Sequence, residues 1–290
     1  MADSSLEKVK KLREITGVGF KDCKSAIDEC GGDIDKSIEF LRKKGISKAT
    51  KKMERVAADG LVLVEQKDNS LSILEVNCET DFVAKNNDFI NFANELSKLN
   101  FNNFGQLDKL NNAKMNNNST VKDSLVSLIA KMGEKITIRR TEYFDGKNFK
   151  NFFYIHSPSS KNTGKLAVLL SLEIPDTTTD ILNTFGHHLC MHIAAMNPIS
   201  IDLDDLNNDV LSKEKEIIKE ELLNSGKDEK IIEKISKGKV RKFIDENTLL
   251  NQTWIMDPDK KVKDIMTEIS KEKKLKIQKF IRFKVGEGIN

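Results

Sequence analysis

Apolar positions near the start of the chain recur at helical steps. Leu6, Val9 and Leu12 form one stripe, Cys23, Ala26, Ile27 and Cys30 a second at i, i+3, i+4, i+7, and Ile34, Ile38 and Leu41 a third. TGVG (16–19) and GG (31–32) separate them, Asp33 is a good N-cap for the third, and Gly45 reads as its stop. Three short helices make a marginal core suited to docking, so residues 1–46 are expected to form a three-helix N-terminal docking domain. The charged, weakly patterned stretch 47–59 reads as a linker.

From Gly60 the period changes to strands. GLVLVEQ and LSILEVNC flank the turn residues KDNS, which predicts a β-hairpin. TDFVAKN follows, then a helix capped near Asn87 or Asp88 with Phe89, Phe92, Ala93 and Leu96 on one face. SLVSLIAKMGE predicts a further helix, and ITIRRTEYF, NFFYIHS and GKLAVLLSLEI read as strands. A long helix over DTTTDILNTFGHHLCMHIAAM ends at NP. Residues 209–246 hold two charged helical runs, with Gly226 as stop and Asp228 as start, expected to form an antiparallel hairpin. VKDIMTEISKE predicts the last helix, and Leu275, Ile277, Ile281, Phe283 and Val285 alternate into a final strand. LSILEVNCETD and LAVLLSLEIPD, each followed by an amphipathic helix, echo one another as strand, acidic turn and helix. The expected fold class is therefore α+β: the N-terminal helices, then a core of two similar antiparallel halves, 60–145 and 146–290, the second carrying the hairpin.

The totals narrow the function classes. A length of 290 residues suits two or three compact units. Lys+Arg 48 against Asp+Glu 45 gives a net charge of +3, too even a balance to favour nucleic-acid binding. No apolar run approaches the ~20 residues of a membrane span, and MADSSLEKVKK lacks a secretory core, so a soluble cytoplasmic protein is expected. The cysteines Cys23, Cys30, Cys78 and Cys190 lack CxxC spacing and read as small buried hydrophobes. The Asn-rich stretch around 100–120 is assigned no function.

Candidate chemistry is sparse. In HHLCMH (187–192), His188 and His192 stand at i, i+4, a spacing that can chelate zinc. The glutamate of HExxH is missing, and both fall near the stripe of Leu182, Phe185, Leu189 and Ile193, so packed or partly hydrogen-bonded histidines are expected rather than ligands. KNTGKL (161–166) lacks the earlier Gly and the following Ser or Thr of a phosphate loop and reads as a polar turn. No catalytic, cofactor or metal site is assigned, and an enzyme is not supported. TDFV (80–83) is ambiguous on its residues alone: Phe82 in the core with Asp81 capping a helix, or an exposed ring that inserts into a partner.

Longer motifs bear on that choice. LREITGVGFKDCKSAIDECGGDIDKSIEFLRKKG, VAADGLVLV, ILEVNCETDFVAKNNDF, GEKITIRR, HIAAMNP and FIRFKVGEGI, in this order, resemble the elongation factor Ts family, guanine nucleotide exchange factors for the GTPase elongation factor Tu. The first resembles that family's ubiquitin-associated-like domain. The resemblance implies that Thr80, Asp81, Phe82 and Val83 disturb Mg²⁺ in the partner GTPase, engaged in its GDP-bound and nucleotide-free states, without any cofactor of the chain's own. It further implies partner contacts at Arg13 and Phe20 in the N-terminal module, and at Met132, Gly133 and His156 near the nucleotide site. Family members commonly continue past GEGI into a short helical module; with Asn290 last, a smaller interface and lower affinity are expected. A homodimer, a 2:2 complex and a 1:1 complex all fit this reading, and the role of the 209–246 hairpin stays open. The competing reading is a non-enzymatic adaptor that binds ubiquitin-like or other partners through its N-terminal helices.

Overall fold

The computed structural model describes residues 5–16, 18–173, 180–223, 228–270 and 275–289; side chains of 46–51, 223, 229 and 230 are outside the description. Gly17 of TGVG, the 174–179 turn with the predicted first residues of the following helix, the expected stop at Gly226 and the end of VKDIMTEISKE lie outside the described residues.

Helices α1 (Ser5–Thr16), α2 (Phe20–Glu29) and α3 (Ile34–Lys52) enclose Val9, Leu12, Cys23, Ala26, Ile27 and Leu41. Gly31 and Gly32 take positive φ (62° and 80°), which lets the chain reverse after α2 and brings the Gly32 amide onto the Ile27 carbonyl at 2.8 Å. Asp33 accepts from the Lys36 amide at 3.0 Å and so starts α3 as its sequence implies. Gly45 does not stop that helix. α3 runs through it to Lys52, because a glycine inside a helix removes a side chain without breaking the hydrogen-bond ladder, at a cost of only about 1 kcal/mol. A Cβ built there would lie in ordinary van der Waals contact with α7 (Val121–Met132), 3.5 Å from Ala130 and 3.6 Å from Val126. Arg42 adds a 2.7 Å ion pair to Asp123 of the same helix.

The core strands form two sheets. β1 (Asp59–Lys67) and β2 (Ser70–Cys78) make the expected hairpin, with Asp68 in the left-handed region at its turn. β3 (Ile136–Phe144) pairs with β2, and the short β5 (Thr163–Gly164) with β1, giving the order β3-β2-β1-β5. β4 (Lys150–His156), β6 (Leu166–Glu173) and β7 (Lys276–Lys284) form the second, in the order β4-β6-β7. All pairings are antiparallel. Val62, Val64, Leu71, Ile73 and Phe144 of the first sheet pack on Ala167, Leu169 and Phe283 of the second. The opposite face of the first, with Leu61, Leu63, Leu74 and Val76, is covered by α5 (Asn87–Asn102), α6 (Leu107–Asn112) and α7. That of the second, with Val168, Leu170 and Leu172, is covered by α8 (Asp180–Met196) and α11 (Val262–Ser270). Central strands buried on both faces explain why LVLV and LSILEV are nearly continuous apolar runs rather than alternating ones. The architecture is the mixed helix and antiparallel-sheet fold that the sequence implies.

One segment exceeds the sequence reading. The Asn-rich stretch around 100–120 contributes α6 and buries Leu110 and Met115 in the first core. α9 (Asn208–Leu223) and α10 (Glu229–Asn247) pack side by side, with Ile218 and Leu222 buried and Lys239 ion-paired to Glu221, while Ile217 and Ile231 face outward. Among the described residues, no helix is long and apolar enough to cross a membrane.

Candidate functional site

TDFV folds as part of a single helical turn, α4 (Asp81–Ala84), between β2 and α5. Thr80 is its N-cap, and the amides of Ala84 and Lys85 close onto the carbonyls of Thr80 and Asp81. Successive side chains on a helix are ~100° apart. With Val83 and Ala84 turned into the core, Asp81 and Phe82 must face out. Phe82 is 81% exposed, the highest among the exposed large apolar residues. A ring left in water forgoes roughly 1.5–3 kcal/mol of burial.

One isolated turn is not self-supporting. Its stability comes from two glutamates, each of which caps backbone amides beside the other. Glu134 accepts the Glu79 amide (3.1 Å) and the Thr80 amide (3.0 Å) at one carboxylate oxygen and the Thr80 hydroxyl (2.7 Å) at the other. Glu79 in return accepts the Lys135 amide at 2.6 Å. The Lys135 ammonium donates to the carbonyls of Met53 and Arg55, and Arg55 faces Glu79 at 3.4 Å, so the chain leaving α3 joins the same cluster. Hydrogen bonds to a charged acceptor each contribute about 1.5–3 kcal/mol net when shielded from water. α7 delivers Glu134 to this point because Gly133, at φ 78°, caps the helix in the left-handed conformation and turns the chain toward the clasp.

Asp81 forms an i, i+4 ion pair with Lys85 at 2.6 Å. The hydrogen bond from Lys85, then its charge and that of Lys165, hold the Asp81 carboxyl below its ordinary value. Lys165, ion-paired with Asp59, lies on the rim of a cavity of about 660 Å³ that is also lined by Ala58, Tyr154, His156, Met191 and Ile255. The Asp81–Lys85 pair is solvent-facing on both sides, so either group exchanges readily for a charged neighbour on another molecule.

The residues singled out in the sequence fall into three places. Thr80–Val83 and the pair Met132–Gly133 meet through Glu134; Met132 is half-buried against the first core. His156 ends β4, exposed, 3.1 Å from the Tyr154 hydroxyl on the cavity wall. Arg13 is exposed on α1, and Phe20, 43% exposed, opens α2; both stand on the N-terminal bundle, outside the hydrogen-bond set of the turn.

HHLCMH has a different fate. His192 is fully buried, with Nε2 2.9 Å from Gln252 Oε1 and Nδ1 accepting from the Ile255 amide at 3.4 Å, and its ring stacks on Trp254 at 5.1 Å. This pattern assigns the proton to Nε2. Burial, opposed by the Gln252 hydrogen bond, pushes its pKa down to about 4. Both ring nitrogens are engaged by protein groups, as expected of a packed histidine.

Sequence reasoning missed Glu79 and Glu134, though GEKITIRR contains the latter. It also missed Glu75, a fully buried carboxylate in β2. Glu75 receives Arg139 at 3.0 Å, Arg140 at 2.5 Å, the Asn77 amide group at 3.0 Å and the Gly286 backbone amide at 2.9 Å. The register of β2 on β3 shifts between Glu75 and Val76, and this bulge brings two consecutive arginines onto one carboxylate. Burial raises the Glu75 pKa, but the Gly286, Arg140 and Asn77 donors outweigh it and leave it below its ordinary value. The visible signal is a lone acid inside an apolar strand, since such a group requires donors.

A family model described as "Elongation factor TS" matches residues 79–287. Elongation factor Ts of Clostridium botulinum (strain Eklund 17B / Type B) is 41% identical over 290 residues, 98% of this chain and 94% of that protein. Its counterpart in Clostridium kluyveri is 42% identical, over 97% and 92% of the two chains. That of Maricaulis maris is 37% identical, over 100% and 94%.

Proposed function

The chain belongs to the elongation factor Ts family, and from that premise we propose that it is a cytoplasmic guanine nucleotide exchange factor that binds elongation factor Tu and accelerates its release of GDP. It acts without chemistry of its own, by distorting the partner's Mg²⁺ and phosphate site. The observation that carries this reading is Phe82, held outward at 81% exposure on a turn whose backbone is clasped in place.

In the proposed mechanism Phe82 enters an apolar crevice of the GTPase while Asp81 exchanges Lys85 for polar groups beside it. Bound GDP depends on the cation and on backbone donors around its phosphates, so displacing either speeds its departure. Burying one phenyl contributes about 1.5–3 kcal/mol. A ten-thousandfold acceleration needs about 5.5 kcal/mol. The ring therefore acts within a wider interface, to which we assign Arg13 and Phe20 on the N-terminal helices, Met132 and Gly133 beside the clasp, and His156 at the cavity. Linkage makes the coupling reciprocal: a factor that weakens GDP binding is itself weakened by GDP to the same degree, which allows either nucleotide to evict it.

Stopped-flow release of a fluorescent GDP from elongation factor Tu tests this. The full chain accelerates release and Phe82→Ala does so far less; no acceleration by the unmodified chain would refute the exchange role, and equal acceleration by Phe82→Ala would refute the wedge.

A further inference from the structure

We infer that Glu134 is a positioning residue for the exchange reaction, acting through the backbone of Glu79 and Thr80 to hold Phe82 in its outward, insertion-ready orientation. This rests on the exchange reading above and deepens it.

The argument starts from what the turn lacks. α4 is a single turn, and its cap bond from the Val83 amide to the Thr80 hydroxyl is long, at 3.4 Å. The core side of the turn is anchored by Val83 and Ala84, but their apolar contacts are non-directional and tolerate rotation. Direction comes from the three bonds that converge on Glu134 within 3.1 Å. They grip the two residues immediately before Asp81 and Phe82. Glu134 itself is placed by α7 and the Gly133 cap, and the return bond from Lys135 to Glu79 closes the ring of contacts. A wedge is useful in proportion to how little it moves, because every alternative orientation of the free ring is lost on insertion. Glu134 reduces those alternatives in advance without touching the partner's nucleotide.

The side chain chemistry makes a sharp test available. In Glu134→Gln the amide oxygen accepts the two backbone amides, and the amide nitrogen donates to the Thr80 hydroxyl, so the geometry survives with one bond reversed. Glu134→Ala removes all three. Thr80→Val removes the hydroxyl's bond to Glu134 together with the long cap bond from the Val83 amide.

The experiment measures GDP release at saturating concentrations of the full chain, with melting temperatures as a control for folding. Glu134→Ala is expected to slow the saturating rate about tenfold, while Thr80→Val slows it roughly threefold and Glu134→Gln recovers most of the rate. The double variant Phe82→Ala/Glu134→Ala should be no slower than Phe82→Ala alone, since a positioning group has nothing to position once the ring is gone. Effects that multiply in the double variant, a wild-type rate in Glu134→Ala, or a Glu134→Gln variant as slow as Glu134→Ala would each overturn the inference. If the unmodified chain gave no acceleration, the exchange reading would fall, and this inference with it. If Glu134→Ala did not fold, Thr80→Val and Glu134→Gln would carry the same comparison.

Discussion

The turn carrying Phe82 and the pocket around His192 are built on opposite principles. HHLCMH offers three imidazoles within six residues, yet its His192 ends up dry, stacked on Trp254 and hydrogen-bonded at both nitrogens. TDFV offers a phenyl ring that any core would accept, yet the fold holds it in water. A reactive residue type thus serves packing at His192, and a packing residue type is presented to solvent at Phe82. The lesson is that residue type sets what a side chain can do, whereas the direction of its backbone decides whether it meets a partner at all.

Acidification is expected to separate the two regions most strongly. His192 has a folded pKa near 4 against an ordinary 6.5, so the unfolded chain binds the extra proton between these values and stability falls as pH drops through that window. The loss reaches roughly 3 kcal/mol by pH 4. Glu75 acts the same way but lower: its folded pKa is depressed, so its stabilisation is present above the ordinary carboxylate value of 4.5 and is lost only below it. Urea denaturation of His192→Gln, which keeps one donor and one acceptor, should show a flatter pH profile between 6.5 and 4. An unchanged profile would mean that another group titrates there.

Phe82→Ala is expected to give the next largest effect, in function alone. Exchange at saturation should fall about 10- to 100-fold, the kinetic equivalent of burying one ring, with the melting temperature within ~2 °C of the parent because the ring is already solvated. A large drop in melting temperature would show that the ring packs within its own chain. Gly186→Ala should reverse the pattern. Its Cβ would lie 2.6 Å from the Phe152 ring in the second core, which predicts about 1–3 kcal/mol of lost stability in denaturant and an exchange rate within twofold of normal below the transition. The smallest effect is expected from Lys85→Ala. It frees the solvent-facing Asp81 for the partner, and exchange at low salt should change by less than about twofold.

Much of the architecture is legible from pattern. The helical stripes of the N-terminal module, the hairpin around KDNS and the paired charged helices all depend on contacts between residues close in sequence, where periodicity and caps are sufficient guides. Gly45 misleads because a glycine inside a helix and one at its end look alike in sequence, and only the continuation of α3 to Lys52 distinguishes the two. The stretch around 100–120 misleads because its two buried apolar side chains, Leu110 and Met115, sit among polar neighbours and make no stripe of their own.

The sequence by itself determined the family, the fold class and the presence of a phenyl beside a carboxylate at a strand–helix junction. Only the tertiary structure decided that the ring faces outward and what holds it there. Glu134 reaches Thr80 across 54 residues of chain, and Glu75 meets Gly286 across 211. Such partners leave no local periodicity, because a hydrogen bond depends on distance and angle in space and is blind to the length of chain between its two ends.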